Sequence, residues 1–348
     1  MKASFFASVP YASEVAMTRD WPAPPVLCDR EASVRTMNRA MEQTLLAEEL
    51  GFDWVSVSEH HYSPRILTPS PMIFAAALTQ RLKRARIALL GPLLPLTNPI
   101  RVAEELAMLD AMSEGRIIVL FLRGTPNEIL TYRNNPDESR EITQEGVELI
   151  LRAWTEPQPF GWEGRYFNYR TVSVWPRTVQ APHPKVFTSG NSPDSVRFAA
   201  RHRIGLAMSF LPLSAIKQRV ESYREAAAEE GWQPSEEDVL YRFFTHVAEN
   251  DAEAIKNVGQ IKVDLRKIFN INQGVVEAVS GYRPEMREIE RPFLCGGPAT
   301  VVDQIGELRE CGVGNMDMSF TWPGISYQQQ LHSMELIGKN VLPQIRGL

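Results

Sequence analysis

Hydrophobic positions along this chain switch period in a regular alternation. Short apolar runs at residues 4–9, 54–58, 86–91, 117–122, 185–188, 204–209, 239–247 and 316–320 have the length and the β-branched or aromatic content of buried strands. Between them the apolar residues fall three and four apart. Over 33–50, Val34, Met37, Met41, Leu45 and Leu46 mark one helical face, and Gly51 comes next as a stop. Ser70-Pro71 and Asn98-Pro99 open helices predicted over 70–82 and 98–112, because proline suits the first helical turn. Further helices are expected at 138–154, from Ser195 to about His202, and at 213–230, 251–269, 300–311 and 326–345. Eight strands, each with a helix after it, require a parallel sheet covered by helices. Eight units in this length fit a closed (β/α)8 TIM barrel. Two stretches break the rhythm and read as insertions: the Trp/Gly/Pro-rich 156–184, and the aperiodic 270–292, suited to closing over a site. The expected organisation is one domain over residues 1–348.

Charge and composition narrow the function. Lys+Arg 37 against Asp+Glu 42 gives −5, and no basic run stands out, which argues against nucleic acid as a partner. No stretch approaches ~18 apolar residues, so no membrane span is expected. The first residues carry one lysine and a short apolar piece broken by Pro10, which lacks the core of a secretion signal. Cys28, Cys295 and Cys311 are odd in number and widely spaced, as in a reduced, cytoplasmic protein.

In a barrel of this kind the chemistry lies where strands end. Those positions hold Glu59, His60 and His61 after the second strand, Leu90 and Gly91 at the third, and Arg123 and Gly124 after the fourth. After the fifth comes Ser189-Gly190-Asn191-Ser192-Pro193-Asp194-Ser195, a tight turn into a capped helix. A helix start presents free N–H groups and partial positive charge, and an arginine at a neighbouring strand end adds a bidentate donor; together they suit a phosphate. Neighbouring histidines invite a metal reading, but His60 and His61 diverge if the strand continues, and only His246 is well placed to join them. No metal is therefore expected, and a general acid/base role for one histidine fits better. No G-x-G-x-x-G comes after a strand, and neither a Walker loop nor a G-x-S-x-G elbow is present. Phe6, Phe210 and Trp322, at strand ends, are candidate pocket walls.

Five stretches resemble the bacterial-luciferase-like family of flavin-dependent monooxygenases. They are Ala47-Glu48-Glu49-Leu50-Gly51-Phe52-Asp53 running to Glu59-His60-His61; Leu94-Pro95-Leu96-Thr97-Asn98-Pro99-Ile100-Arg101; residues 104–116 with Asp110 and Gly115-Arg116; Pro182-His183-Pro184 leading to Ser189–Ser195; and Gly296-Gly297-Pro298-Ala299-Thr300-Val301. The resemblance implies a barrel that binds reduced FMN and uses O2 to oxygenate a small organic substrate, an aldehyde, ketone or heteroatom-bearing compound. A separate NAD(P)H:flavin reductase would supply the flavin, and a homodimer is expected. His60 matches the family's catalytic histidine. Arg123 matches the arginine that grips the FMN phosphate, and Ser192 and Ser195, with the N–H groups of Asp194 and Ser195, match its phosphate loop, which also takes in Ser189, Gly190 and Asn191. Leu90–Gly91 matches a non-prolyl cis peptide behind the flavin ring, although a cis Gly91–Pro92 bond would cost less. Leu122 stands where the light-emitting enzyme has a reactive cysteine, so long-chain aldehyde luminescence is not expected. Three alternatives remain: deazaflavin-dependent hydride transfer on the same fold, a metal-dependent barrel hydrolase, and a flavin-binding protein without turnover.

Overall fold

The computed structural model describes residues 1–12, 22–132, 134–190, 192–264 and 288–346. Eight parallel strands carry the fold: β1 (Lys2–Ala7), β2 (Trp54–Ser58), β3 (Arg86–Leu93), β4 (Ile117–Leu122), β5 (Lys185–Ser189), β6 (Gly205–Ser209), β7 (Val239–Val247) and β8 (Asn315–Ser319). They pair in chain order, and β8 pairs with both β7 and β1, so the sheet closes into a (β/α)8 TIM barrel. The main covering helices are α1 (Arg30–Glu49), α2 (Pro71–Arg81), α3 (Pro99–Met112), α4 (Pro126–Thr131), α5 (Ser139–Thr155), α6 (Pro193–Arg201), α7 (Leu213–Glu229), α8 (Asp251–Val258), α9 (Pro298–Glu310) and α10 (Tyr327–Leu336).

The strands are apolar on both faces because both are buried, as parallel sheets require. Their side chains still alternate. Trp54, Ala88, Leu90, Ile118, Leu120 and Phe187 point inward and plug the barrel. Val55, Val57, Ile87, Leu89, Val119 and Phe121 point outward under the helices. Asp29, Asn98 and Ser192 cap α1, α3 and α6 with side-chain oxygens on first-turn N–H groups, each cap being worth about 1 kcal/mol.

Four local expectations change. The 156–184 insertion contains an antiparallel hairpin, Phe160–Glu163 with Asn168–Val172. Its order comes from a polar pin that hydrophobic periodicity does not reveal: Glu145 on α5 accepts the backbone N–H groups of Arg165, Tyr166 and Phe167 and the Trp162 indole. Asp110, wholly buried on α3, similarly accepts Val179 N, Gln180 N and the Gln180 amide. The helix expected over 251–269 ends at Val258, where Gly259 turns with φ 62°, and residues 265–269 lie outside the described residues. The helix expected at 300–311 starts earlier, at Pro298, after a short strand, Leu294–Gly296, on the far end of β7. The cis bond lies at Gly91–Pro92, not at Leu90–Gly91, in keeping with the lower cost of a cis bond before proline. The 270–292 insertion lies, up to residue 287, outside the described residues. Among the described residues no helix is long and apolar enough to cross a membrane.

Candidate active site at the C-terminal mouth of the barrel

β2 ends on a cluster of two histidines and two carboxylates. His60 Nδ1 lies 3.1 Å from Glu128 Oε1. Glu128 opens α4, where it forms a capping box with Thr125: its Oε2 accepts the Thr125 N–H and hydroxyl, both at 2.8 Å. A carboxylate can only accept, so Nδ1 points a proton at Glu128 and Nε2 is the ring nitrogen left for another partner. Nε2 has no hydrogen-bond partner among the described residues, and His60 lines a recess of about 190 Å³ together with Tyr11, Leu27, Tyr62 and Ile66. The Glu128 carboxyl is almost entirely buried, which alone would raise it. Its hydrogen bond to His60, the charge of that ring and the Thr125 donors outweigh burial and hold it down to about 2.

His61 is engaged at both ring nitrogens. Nε2 lies 3.0 Å from Glu59 Oε1 and Nδ1 lies 3.1 Å from the Tyr132 hydroxyl. The other oxygen of Glu59 accepts the Leu93 N–H at 3.1 Å, so Glu59 ties the end of β2 to the end of β3. Gly91 faces that carboxylate: its φ is +133°, and a Cβ there would stand 3.0 Å from the Glu59 Cβ. The backbone at Leu90–Gly91 is thus shaped by Glu59, with a register shift against Leu120.

Glu128 yields a stability prediction with a definite sign. A carboxyl depressed from 4.5 to about 2 on folding stabilises the protein above the higher value, and that contribution fades as pH falls through the lower. Glu128→Gln is expected to lower resistance to urea most at neutral pH, with the gap to wild type closing as pH drops below about 4.5. Unfolding curves across pH read this directly; a constant gap would mean the carboxylate charge is not what stabilises.

A second corner forms at the ends of β4 and β5. Phe121 pairs with Thr188, so Arg123 and the turn from Ser189 leave adjacent strands at the same end. Arg123 is half-buried there. Gly190 is buried, and a Cβ would come within 2.6 Å of the Leu206 side chain, so only glycine brings this turn so close to β6. Ser192 caps α6, its Oγ accepting Ser195 N at 3.3 Å and lying 2.9 Å from Ser195 Oγ. The Asp194 carboxylate turns away to Arg197 and to Arg140 Nη1, the latter at 2.8 Å. Arg140, at the start of α5, is therefore a third basic group at this corner, and its Nε is buried without a partner among the described residues. It escaped the strand-end reading because it lies on a helix seventeen residues after Arg123. Asn191 lies outside the described residues.

The remaining candidates do not join these groups. His246 packs against Asn257, and burial, with the charge of His332, pushes its imidazole down to about 4. Phe210 and Trp322 pack against Phe244, and Phe6 lies inside the barrel. Among the described residues no three His, Cys, Asp or Glu side chains are grouped to hold a metal ion.

The C-terminal mouth of this TIM barrel thus brings together a histidine–carboxylate pair and a basic helix start, an arrangement that can take an anionic group. The chain belongs to the luciferase-like monooxygenase family, whose model matches residues 23–315. It is 26% identical over 340 residues to the alkanal monooxygenase alpha chain of Photobacterium leiognathi, covering 91% of this chain and 95% of the relative. Its fold is similar to that of the monooxygenase RslO1 from Streptomyces bottropensis (TM-score 0.76, 27% identity, 99% and 100% of the two chains). It is also similar to the oxygenating constituent of 3,6-diketocamphane monooxygenase from Pseudomonas putida, solved in complex with FMN (TM-score 0.75, 22% identity, 99% and 98%).

Proposed function

We propose that this protein is the oxygenase of a two-component system, using reduced FMN and O2 to oxygenate a small organic substrate, with a separate reductase supplying the flavin. The observation that carries this reading is the placement of the His60 ring, oriented through Nδ1 by Glu128, at the same mouth as Arg123 and the α6 helix start. Family membership and the FMN-bound state of the diketocamphane enzyme support it.

The residues present fit FMN. Arg123, the first-turn N–H groups of α6, the Ser192 and Ser195 hydroxyls and the Nε of Arg140 would hold the phosphate. The irregular end of β3 at Leu90 and Gly91 would back the ring. Bound reduced flavin supplies the electrons that activate O2. The chain binds and orients the flavin, keeps water from the mouth with its apolar walls, and moves a proton at His60 Nε2. Glu128 is a positioning residue that sets the tautomer of that ring. His61, committed at both nitrogens, has a structural role.

The test is turnover with reduced FMN, O2 and a panel of aldehydes, cyclic ketones and heteroarenes, with 18O2 tracing the inserted atom. The reading expects labelled product from at least one class. Hydride transfer with a reduced deazaflavin in the absence of oxygen would replace it. Because no metal group is assembled among the described residues, EDTA is expected to leave activity unchanged. Loss of activity on chelation, restored by zinc, would favour a hydrolase.

A further inference from the structure

Above the apolar plug of the barrel lies a largely buried cation whose Nε has no acceptor among the described residues. Arg242 on β7 stands opposite Ser209, the last residue of β6, and opposite Asp317 of β8. Leu240, two residues earlier and on the same face, belongs to the plug, so the guanidinium sits on top of it, facing the mouth. Its Cζ is 3.2 Å from the centre of the Phe6 ring. The nearest carboxylate is Asp317, wholly buried, with Oδ2 3.8 Å from Arg242 Nε, too long for a hydrogen bond. The other Asp317 oxygen accepts the Ser56 hydroxyl at 2.6 Å. Arg242 Nε is buried without a hydrogen-bond partner among the described residues, and the Asp317 carboxylate is served by the hydroxyls of Ser56 and Ser4. Yet the arginine side chain keeps 19% exposure, while Asp317 keeps none. Of the two side chains, only the arginine reaches the mouth.

The surroundings divide the mouth into two halves. On the β1 and β8 side, the Ser8 and Thr321 hydroxyls lie 2.5 Å apart, and Ser319 Oγ is 3.1 Å from Thr321. On the β3 and β4 side, Leu90 and Leu122 make an apolar wall. The Arg123 corner and His60 belong to the apolar side, next to β2–β5. Burial draws the Arg242 guanidinium down to about 10, which leaves it charged, and raises the Asp317 carboxyl above its ordinary value. A desolvated guanidinium with an unmet donor is costly unless an acceptor arrives, and its planar fork matches two oxygens of one anionic group.

We propose that Arg242 is a specificity-determining residue that binds an anionic oxygen group, a carboxylate or sulfonate, on the substrate, across the mouth from the phosphate corner. The inference rests on the flavin reading of this site, since that reading assigns the Arg123 corner to the cofactor and leaves Arg242 to the substrate. An organic acid held by its anionic end at Arg242 would leave its remaining carbons in the mouth that also holds His60.

Calorimetric titration of the full chain with acetate, benzoate and methanesulfonate, against benzyl alcohol as a neutral control, tests this. At least one anion is expected to bind in preference to the alcohol. In Arg242→Met combined with Asp317→Asn, which removes both charges and leaves no unpaired carboxylate, that anion should weaken by about tenfold or more. FMN and benzyl alcohol should bind as before. Arg242→Lys, which keeps the charge but not the fork, should fall between. Equal anion binding by wild type and double variant, or no anion preference in wild type, overturns the proposal. So does selective loss of reduced FMN with anion binding intact, which would give the guanidinium to the flavin ring. If the anion behaves as expected while wild type binds no flavin, the flavin reading fails and the anion site stands.

Discussion

His60→Ala is expected to abolish most product formation, by about 10²–10⁴, while FMN affinity stays within a few-fold. The separation comes from the geometry. His60 is at the end of β2, with Nδ1 on Glu128 and its side chain lining the recess, whereas the proposed phosphate partners are Arg123, Arg140 and the α6 start. Electrons from reduced flavin would then go to O2 without substrate oxidation, so hydrogen peroxide should account for the missing product. Glu128→Gln keeps the shape of the site but offers an amide where Nδ1 needs a charged acceptor. It should lower kcat less than His60→Ala and change the pH profile of kcat/KM, a readout that a merely structural role would leave unmoved. His61→Ala removes contacts to Glu59 and Tyr132 and should act chiefly on stability. Normal turnover by His60→Ala with a dead His61→Ala would reverse the assignment.

Arg123→Ala should weaken FMN by about tenfold to a hundredfold, the size of one charge-assisted bidentate contact of roughly 1.5–3 kcal/mol. Riboflavin, which lacks the phosphate, should bind wild type and variant alike. This difference isolates the phosphate from the ring. A similar loss for Arg140→Ala would place both arginines on the phosphate; a loss of riboflavin as large as that of FMN would remove Arg123 from the corner. Arg140 has a further tie to Asp194, so its substitution should also loosen the start of α6, visible as faster hydrogen exchange in that helix.

The barrel was legible because its signals are local and repeated. Eight apolar runs separated by helical spacing, with Pro71, Pro99 and Pro193 opening helices, define the fold without any knowledge of contacts. His60, Arg123 and the Ser192 turn could be found from the few residues just past the end of each strand. The hidden features depend on pairing between distant residues. Glu128 lies 68 residues from His60, and its local trace was the Thr125-x-x-Glu128 capping box, which marks a helix start and says nothing about a histidine. Arg140 sits on a helix, where arginine is ordinary. The hairpin in the 156–184 insertion hangs on Glu145 and shows no apolar period of its own. Arg242 and Asp317 interrupt strands otherwise apolar, which was a visible signal, but their juxtaposition required the register of β7 against β8.

Anaerobic titration of the purified chain with reduced FMN, reduced riboflavin and a reduced deazaflavin tests the central claim most directly. The account predicts saturable one-to-one binding of reduced FMN, tighter than that of riboflavin by the contribution of the Arg123 corner, and weaker binding of the deazaflavin. No binding of reduced FMN, or a deazaflavin that displaces it, would contradict the account.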